Sequence, residues 1–176
     1  ADFFTAVDDL MGINEEGDTG SAMMGDIDYN SNCYYIYAAL DYDQLKENLK
    51  YTPDADEIIK KAIPAMIEAM ALSNPSGKQN TFAGHILPDV VMVNKKSRKI
   101  PVSLANAFVE PVPSGKKNLV ENSIEKMVAE IDYLDNSYDI PVDKRLWFKG
   151  KYEYVPKLCQ SYNSFNEIIN EIRAWL

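Results

Sequence analysis

A mixed α+β fold, with an antiparallel or mixed sheet and helices gathered toward the C-terminus, is what this sequence predicts. Three observations carry the expectation. Short runs rich in β-branched, aromatic or alternating apolar residues recur at 26–30, 33–40, 87–93 and 100–104. Apolar residues at spacings of three and four fill 58–70, 120–134 and 165–172. The strands come in pairs before the last helices, rather than alternating one by one with helices, which marks α+β and not α/β.

Taken in order, Asp2 to Leu10 alternate weakly and read as a short strand or arm, and residues 11–21, with three glycines and three acids, as a loop. Met23-Met24-Gly25 leads into a strand at Asp26–Asn30, and Cys33–Leu40 reads as a central strand buried on both faces, the two making a hairpin. Asp43 is placed to cap a short helix ending near Lys50. Asp54 or Asp56 starts a longer helix whose broad apolar face includes Ile59, Ile63, Met66 and Met70. Pro64 should kink or break it, having no N–H and crowding the preceding turn.

Leu87–Val93 is a strand, Asn94–Lys99 a basic turn, and Ile100–Leu104 a returning strand of the same hairpin. After a Pro-rich bend, Val120, Ile124, Met127, Ile131 and Leu134 define a helix over about 117–134. Arg145–Val155 forms a bent strand or small hairpin around Gly150. A last helix runs from a Ser164 cap to Leu176. The β-β-α-β order of residues 26–93 is a subset of the ferredoxin-like pattern, lacking the first β-α pair.

At 176 residues the chain can bury a sizeable core. No apolar run nears the roughly 18 residues of a membrane span, and no basic n-region precedes Phe3-Phe4, so neither a membrane partner nor a secretory leader is expected. The chain does not begin with Met, and its first residues read as the middle of a fold, so part of a longer polypeptide is expected. Cys33 and Cys159 sit among aromatic and apolar residues and read as buried free thiols, with a cytoplasmic home. One histidine and no CxxC leave no expectation of a metal or other cofactor.

The net charge of −9 is unevenly spread. Residues 1–57 hold 14 acids and 2 lysines, whereas residues 58–176 hold 13 acids and 16 bases. The acidic first part cannot track a phosphate backbone by charge, and any contact it makes with nucleic acid must be apolar or aromatic. The second part can present a local basic surface, with the turn at 94–99 as one place for it; a solvated hairpin tip is the plainer reading of that turn. The stretch Gly77-Lys78-Gln79-Asn80-Thr81-Phe82-Ala83-Gly84-His85 combines flexible backbone, one cation and neutral donors, which suits a phosphate or ribose. An ordinary polar loop between helix and strand accounts for the same residues. Tyr34, Tyr35 and Tyr37 are suited to stacking bases or to sheet packing. No nucleophile elbow, P-loop or HExxH occurs, and a His85–Asp89 pair lacks a nucleophile or metal to act on, so no enzymatic activity is expected.

Six motifs together resemble one family: Asp2–Leu10, Gly20–Gly25, Asn30-Ser31 with Tyr34-Tyr35, Gly77–Ala83, Pro88–Val93 and Ser103–Phe108. In this order and spacing, over roughly residues 2–112, they are similar to the CasC family, the backbone subunit of the type I-E CRISPR Cascade complex. Residues 113–176 match only loosely, as a helical tail. The resemblance implies about the C-terminal half of such a subunit: a thumb-like arm at 1–25, a partial ferredoxin-like (RRM-type) palm at 26–112 lacking its N-terminal elements, and a helical part of the same domain at 113–176.

The implied partners are CRISPR guide RNA, target DNA paired to that guide, copies of the chain itself stacked head to tail, and other Cascade subunits. Carried over to this sequence, Phe3, Phe4, Thr5 and Val7 match the start of the thumb's RNA-facing arm. Met23 and Met24 match its return, an apolar wedge against a kinked base. Lys78 and Gln79 match the palm loop near the guide backbone. Two positions depart from the family pattern: Ile36 stands where an arginine is common, and Met23-Met24 where His-Leu is. A rival reading from another class is a protein-interaction module that docks to other Cascade subunits without binding RNA on its own.

Overall fold

The computed structural model describes residues 2–6, 23–29, 31–73, 83–113 and 115–176. The chain divides into two compact units, Ala1–Tyr34 and Tyr35–Leu176.

In the first unit, β1 (Asp2–Ala6) pairs antiparallel with β2 (Met23–Ile27). The strand expected at 26–30 thus begins earlier, on the two methionines, and its partner is β1 rather than residues 33–40.

The second unit opens without regular structure up to Asp41. The expected central strand at 33–40 does not form, and Tyr34, Ile36, Tyr37 and Leu40 are exposed. Helix α1 (Tyr42–Leu49) is capped by Asp41, not Asp43: the Asp41 carboxylate accepts the Gln44 N–H at 3.0 Å. Helix α2 (Ala55–Leu72) runs through Pro64 without ending, and Pro64 is buried in its packed face. A proline removes one helical hydrogen bond, and tertiary packing of Ile59, Ile63 and Ile67 holds the turn instead. Met66 and Met70, expected as core filler, lie on the exposed side of α2.

Strand β3 (Val91–Lys95) does not return through residues 100–104. Its antiparallel partner is β4 (Lys144–Phe148), with Val93 opposite Leu146. Residues 100–104 instead lead into a 3-10 turn (Ala105–Phe108), with Leu104 buried in the core. Helix α3 (Leu119–Tyr138) starts at Asn118, whose side chain accepts the Glu121 N–H at 2.8 Å. Strand β5 (Gln160–Tyr162) then pairs parallel with β4, giving the sheet order β3-β4-β5. Helix α4 (Phe165–Trp175) starts as expected at Ser164, whose N–H donates to the Glu167 carboxylate at 3.2 Å.

The sheet is covered on both faces because side chains alternate along β4. Leu146 joins Ile59, Ile63, Ile168, Ile169 and Ile172 from α2 and α4. Trp147 joins Leu104, Ile124, Met127, Ile131 and Tyr152, mostly from α3. Trp147 is fully buried, and its indole N–H donates to the Tyr154 carbonyl at 3.1 Å, so the polar handle is satisfied. Each such large apolar side chain contributes about 1.5–3 kcal/mol. Helices on a small mixed sheet make the α+β fold that the sequence predicts.

Candidate functional site

The β1–β2 ribbon brings together five of the eight residues expected to meet RNA. Thr5 lies opposite Met24, Phe4 opposite Gly25, Phe3 opposite Asp26, and Met23 opposite Ala6. An antiparallel ladder sets these pairs about 4.5–5.5 Å apart between Cα atoms. Residues separated by some twenty positions in sequence therefore become neighbours. Val7, Lys78 and Gln79 lie outside the described residues.

In the second unit, the segment that follows Lys78 and Gln79 is described from Ala83, which has φ +48°, through exposed Gly84, His85, Ile86 and Leu87 to β3. Non-glycine residues seldom adopt such a φ, so the backbone turns sharply there. The His85 N–H donates to the Ala83 carbonyl at 2.9 Å and tightens the turn.

The basic turn at 94–99 is far less available for phosphate than its composition implies. The Lys95 ammonium donates to the Trp175 carbonyl at 3.2 Å and the Lys96 ammonium to the Ile100 carbonyl at 3.0 Å. Lys99 sits 2.9 Å from Asp41 and 3.3 Å from Asp43. Hydrogen bonding to Asp41 holds the Lys99 ammonium above the usual lysine range. Burial, with the Arg145 charge beside it, pulls Lys96 the other way. Among the described residues, Arg98 is the one cation of this turn with no partner.

The ion pair that sequence reading missed is Arg145 with Asp135. Arg145 is the first inward residue of β4, and its guanidinium donates to both Asp135 oxygens, at 2.5 and 2.9 Å. It also donates to the Asn94 amide oxygen at 3.1 Å. The pair sits at the wall of an open cleft of about 530 Å³ that Asp139, Asp143, Lys144 and Cys159 also line. The signal was present, since Arg145 is a charged residue directly before the apolar Leu146-Trp147-Phe148, but its partner lies at the far end of α3.

The cysteines are both free, but only Cys159 is partly buried. Burial raises its thiol pKa, and its Sγ lies 3.1 Å from the Pro156 carbonyl. Cys33 is exposed, which corrects the expectation of two buried thiols and follows from the missing strand at 33–40. Among the described residues no group of three His, Cys, Asp or Glu is placed to hold a metal, and no helix is long and apolar enough to cross a membrane.

This α+β fold is shared with chains of RNA-guided CRISPR complexes. One solved chain, of a "CRISPR RNA-guided surveillance complex", is 23% identical with a TM-score of 0.66, and the match covers 99% of this chain and 64% of that one. Another, of a "CRISPR RNA-guided surveillance complex, pre-nicking", is 26% identical with a TM-score of 0.66, covering 99% of this chain and 49% of that one. The chain thus spans about half to just under two thirds of the length of these solved relatives. No curated protein matches it. A Cas family model, described as "CT1975-like protein", matches residues 1–171, and the chain belongs to that family. The resemblance drawn from the motifs is borne out as membership of a Cas family.

Proposed function

We propose that this chain is a non-catalytic backbone subunit of a CRISPR RNA-guided surveillance complex, holding guide RNA without reading its sequence. The observation that carries the reading is the register of β1 and β2. It sets Phe3-Phe4-Thr5-Ala6 against Met23-Met24-Gly25-Asp26 on one ribbon, in the acidic part of the chain where contact with RNA must be apolar. Family membership and the shared fold support it. On this reading the ribbon is a thumb-like arm that wedges apolar side chains at an unstacked base. Lys78 and Gln79 hydrogen-bond ribose and phosphate in a partial ferredoxin-like palm. Copies stack head to tail on the guide, beside other Cascade subunits in the cytoplasm, and target DNA pairs with the guide they hold. Guide-independent binding requires such backbone contacts, because base pairing carries the sequence information.

The test is co-expression with a CRISPR array and the remaining subunits, followed by quantification of RNA in the purified complex. Guide-length RNA protected from nuclease supports the reading. A folded complex without RNA overturns it and leaves the protein-interaction module, which the exposed Tyr34, Ile36 and Ile86 favour.

A further inference from the structure

The open cleft of about 530 Å³ lies between the end of α3 and strand β5. Ile140, Pro141, Val142 and Leu158 give it apolar walls, and Leu158 is 70% exposed. Scattered surface leucines are ordinary, but apolar side chains gathered along one concavity make a surface that a partner can fill.

The electrostatics of the cleft fix the sign of that partner. Its two cations are already engaged. Arg145 is neutralised by Asp135, and the Lys144 ammonium lies 3.9 Å from Glu171 and 5.4 Å from the centre of the Trp175 ring. The carboxylates that remain are Asp139 and Asp143, both exposed. Among the described residues Asp139 has no ion-pair partner, and the Asp143 carboxylate accepts the Ser97 hydroxyl at 3.2 Å. Helix α3 adds to this sign, because its C-terminus carries the negative end of the helix dipole and its last turn holds no basic residue. No lysine or arginine occurs between Lys126 and Lys144. At the same helix end, the exposed Tyr133 and Tyr138 rings meet edge to face with centres 6.4 Å apart. Aromatic faces attract cations as well.

We infer that this cleft docks a basic segment of another protein chain, with a lysine or arginine at Asp139 and Asp143 and an apolar neighbour against Val142 and Leu158. The same charge repels phosphate, so this face is turned away from nucleic acid. A second copy of the chain is a poor source of the segment: the chain nets −9, and Lys95, Lys96 and Lys99 of its basic run are engaged internally. Exposed ion pairs contribute little by themselves, so the apolar walls supply affinity and the charges supply orientation and partner choice. The inference rests on the part of the proposed function that places the chain in a multisubunit complex, not on RNA binding.

The experiment labels carboxylates with a water-soluble carbodiimide and glycine ethyl ester, in the purified chain and in the complete co-expressed complex, and reads the sites by peptide mass spectrometry. Asp139 and Asp143 should label about tenfold more slowly in the complex, as expected at the closed centre of an interface. A double variant, Asp139→Lys with Asp143→Lys, should retain one other protein subunit about tenfold less well in native mass spectrometry, because like charges then face each other. Both positions are exposed, and unchanged thermal unfolding of the variant chain verifies its fold. Equal labelling in chain and complex overturns the inference, as does full retention of every subunit by the double variant. Protection lost on nuclease digestion of an otherwise intact complex assigns the cleft to RNA and also overturns it. Protection that rises with concentration in the purified chain assigns it to a second copy, with the same result. A protected complex that holds no RNA overturns the proposed function and leaves this inference standing; an RNA-bearing complex without protection does the reverse. A chain that enters no complex overturns both.

Discussion

Arg145 holds Asp135 with two parallel hydrogen bonds, joining the first inward residue of the central strand to the last turns of α3. The Arg145 and Asp135 side chains are only 6% and 13% exposed, so solvent screens the pair little although it lines the cleft. Removing one partner leaves a buried charge alone, so Arg145→Met or Asp135→Asn should each cost about 3–5 kcal/mol in urea unfolding. The double replacement should cost less than the sum. A cycle with no coupling between the two would sink the idea that they act as one unit.

Gly150 is the one described glycine that the backbone requires. It has φ +55°, and a Cβ built there would lie 2.3 Å from the Asp89 carbonyl oxygen. Gly150→Ala should therefore lower stability by about 2 kcal/mol or more, against a change below about 1 kcal/mol for Gly84→Ala, where a Cβ meets nothing within 4 Å. Thermal unfolding of the two variants side by side decides this.

Asp41 links acid sensitivity to the start of α1. The Gln44 N–H and then Lys99 hold its carboxyl below the ordinary value of 3.8. A depressed folded-state pKa means that the stabilisation is present above the ordinary value and is lost as pH falls through the lower one. Asp41→Asn, which keeps a capping oxygen, should flatten the decline of stability below about pH 4. An unchanged acid limb in circular-dichroism melts would rule this out.

The two thiols should differ in reactivity. Exposed Cys33 should be alkylated well before Cys159, whose thiolate is disfavoured by burial. Peptide mass spectrometry over a time course of iodoacetamide reads the order, and equal rates would contradict the description of either site.

Under the proposed function, Phe4→Ala and Met24→Ala should each reduce the RNA retained by the purified complex. Loss of one apolar or aromatic contact with a base corresponds to about 1–3 kcal/mol, roughly 5- to 150-fold in affinity. RNA content unchanged in both variants would remove the ribbon from the RNA surface.

Much of this fold was legible because helices carry their pattern locally. The periodic positions of α3 and α4 became core, and Asn118 and Ser164 start those helices where the apolar spacing begins. Strand partners are not local. The run at 91–95 has the composition of a strand whatever its neighbour, and proximity pointed to residues 100–104. Leu146 and Trp147, among the most buried side chains in the chain, claimed the central position instead. Cys33–Leu40 has strand composition with no ladder to join. As for the candidate site, an arm and its return were implied by the family resemblance, but the residues alone pointed to a hairpin of 26–30 with 33–40 and not to the pairing of β1 with β2. The engagement of the basic turn was not legible, since it depends on Asp41, Asp43 and the Trp175 carbonyl arriving from elsewhere in the chain.

That engagement has a consequence for counterions. A lysine whose ammonium stays with a carboxylate or carbonyl neutralises no phosphate, and so displaces none of the cations condensed on an approaching nucleic acid. Under the proposed function, with Lys95, Lys96 and Lys99 all occupied internally, the logarithmic fall of RNA affinity with salt should be shallower by about 2 units than for a free turn, at roughly 0.7 per cation on a single strand. A guide so held would lean on the ribbon's apolar contacts and on few phosphate contacts, and would tolerate higher ionic strength than RNA gripped mainly by charge.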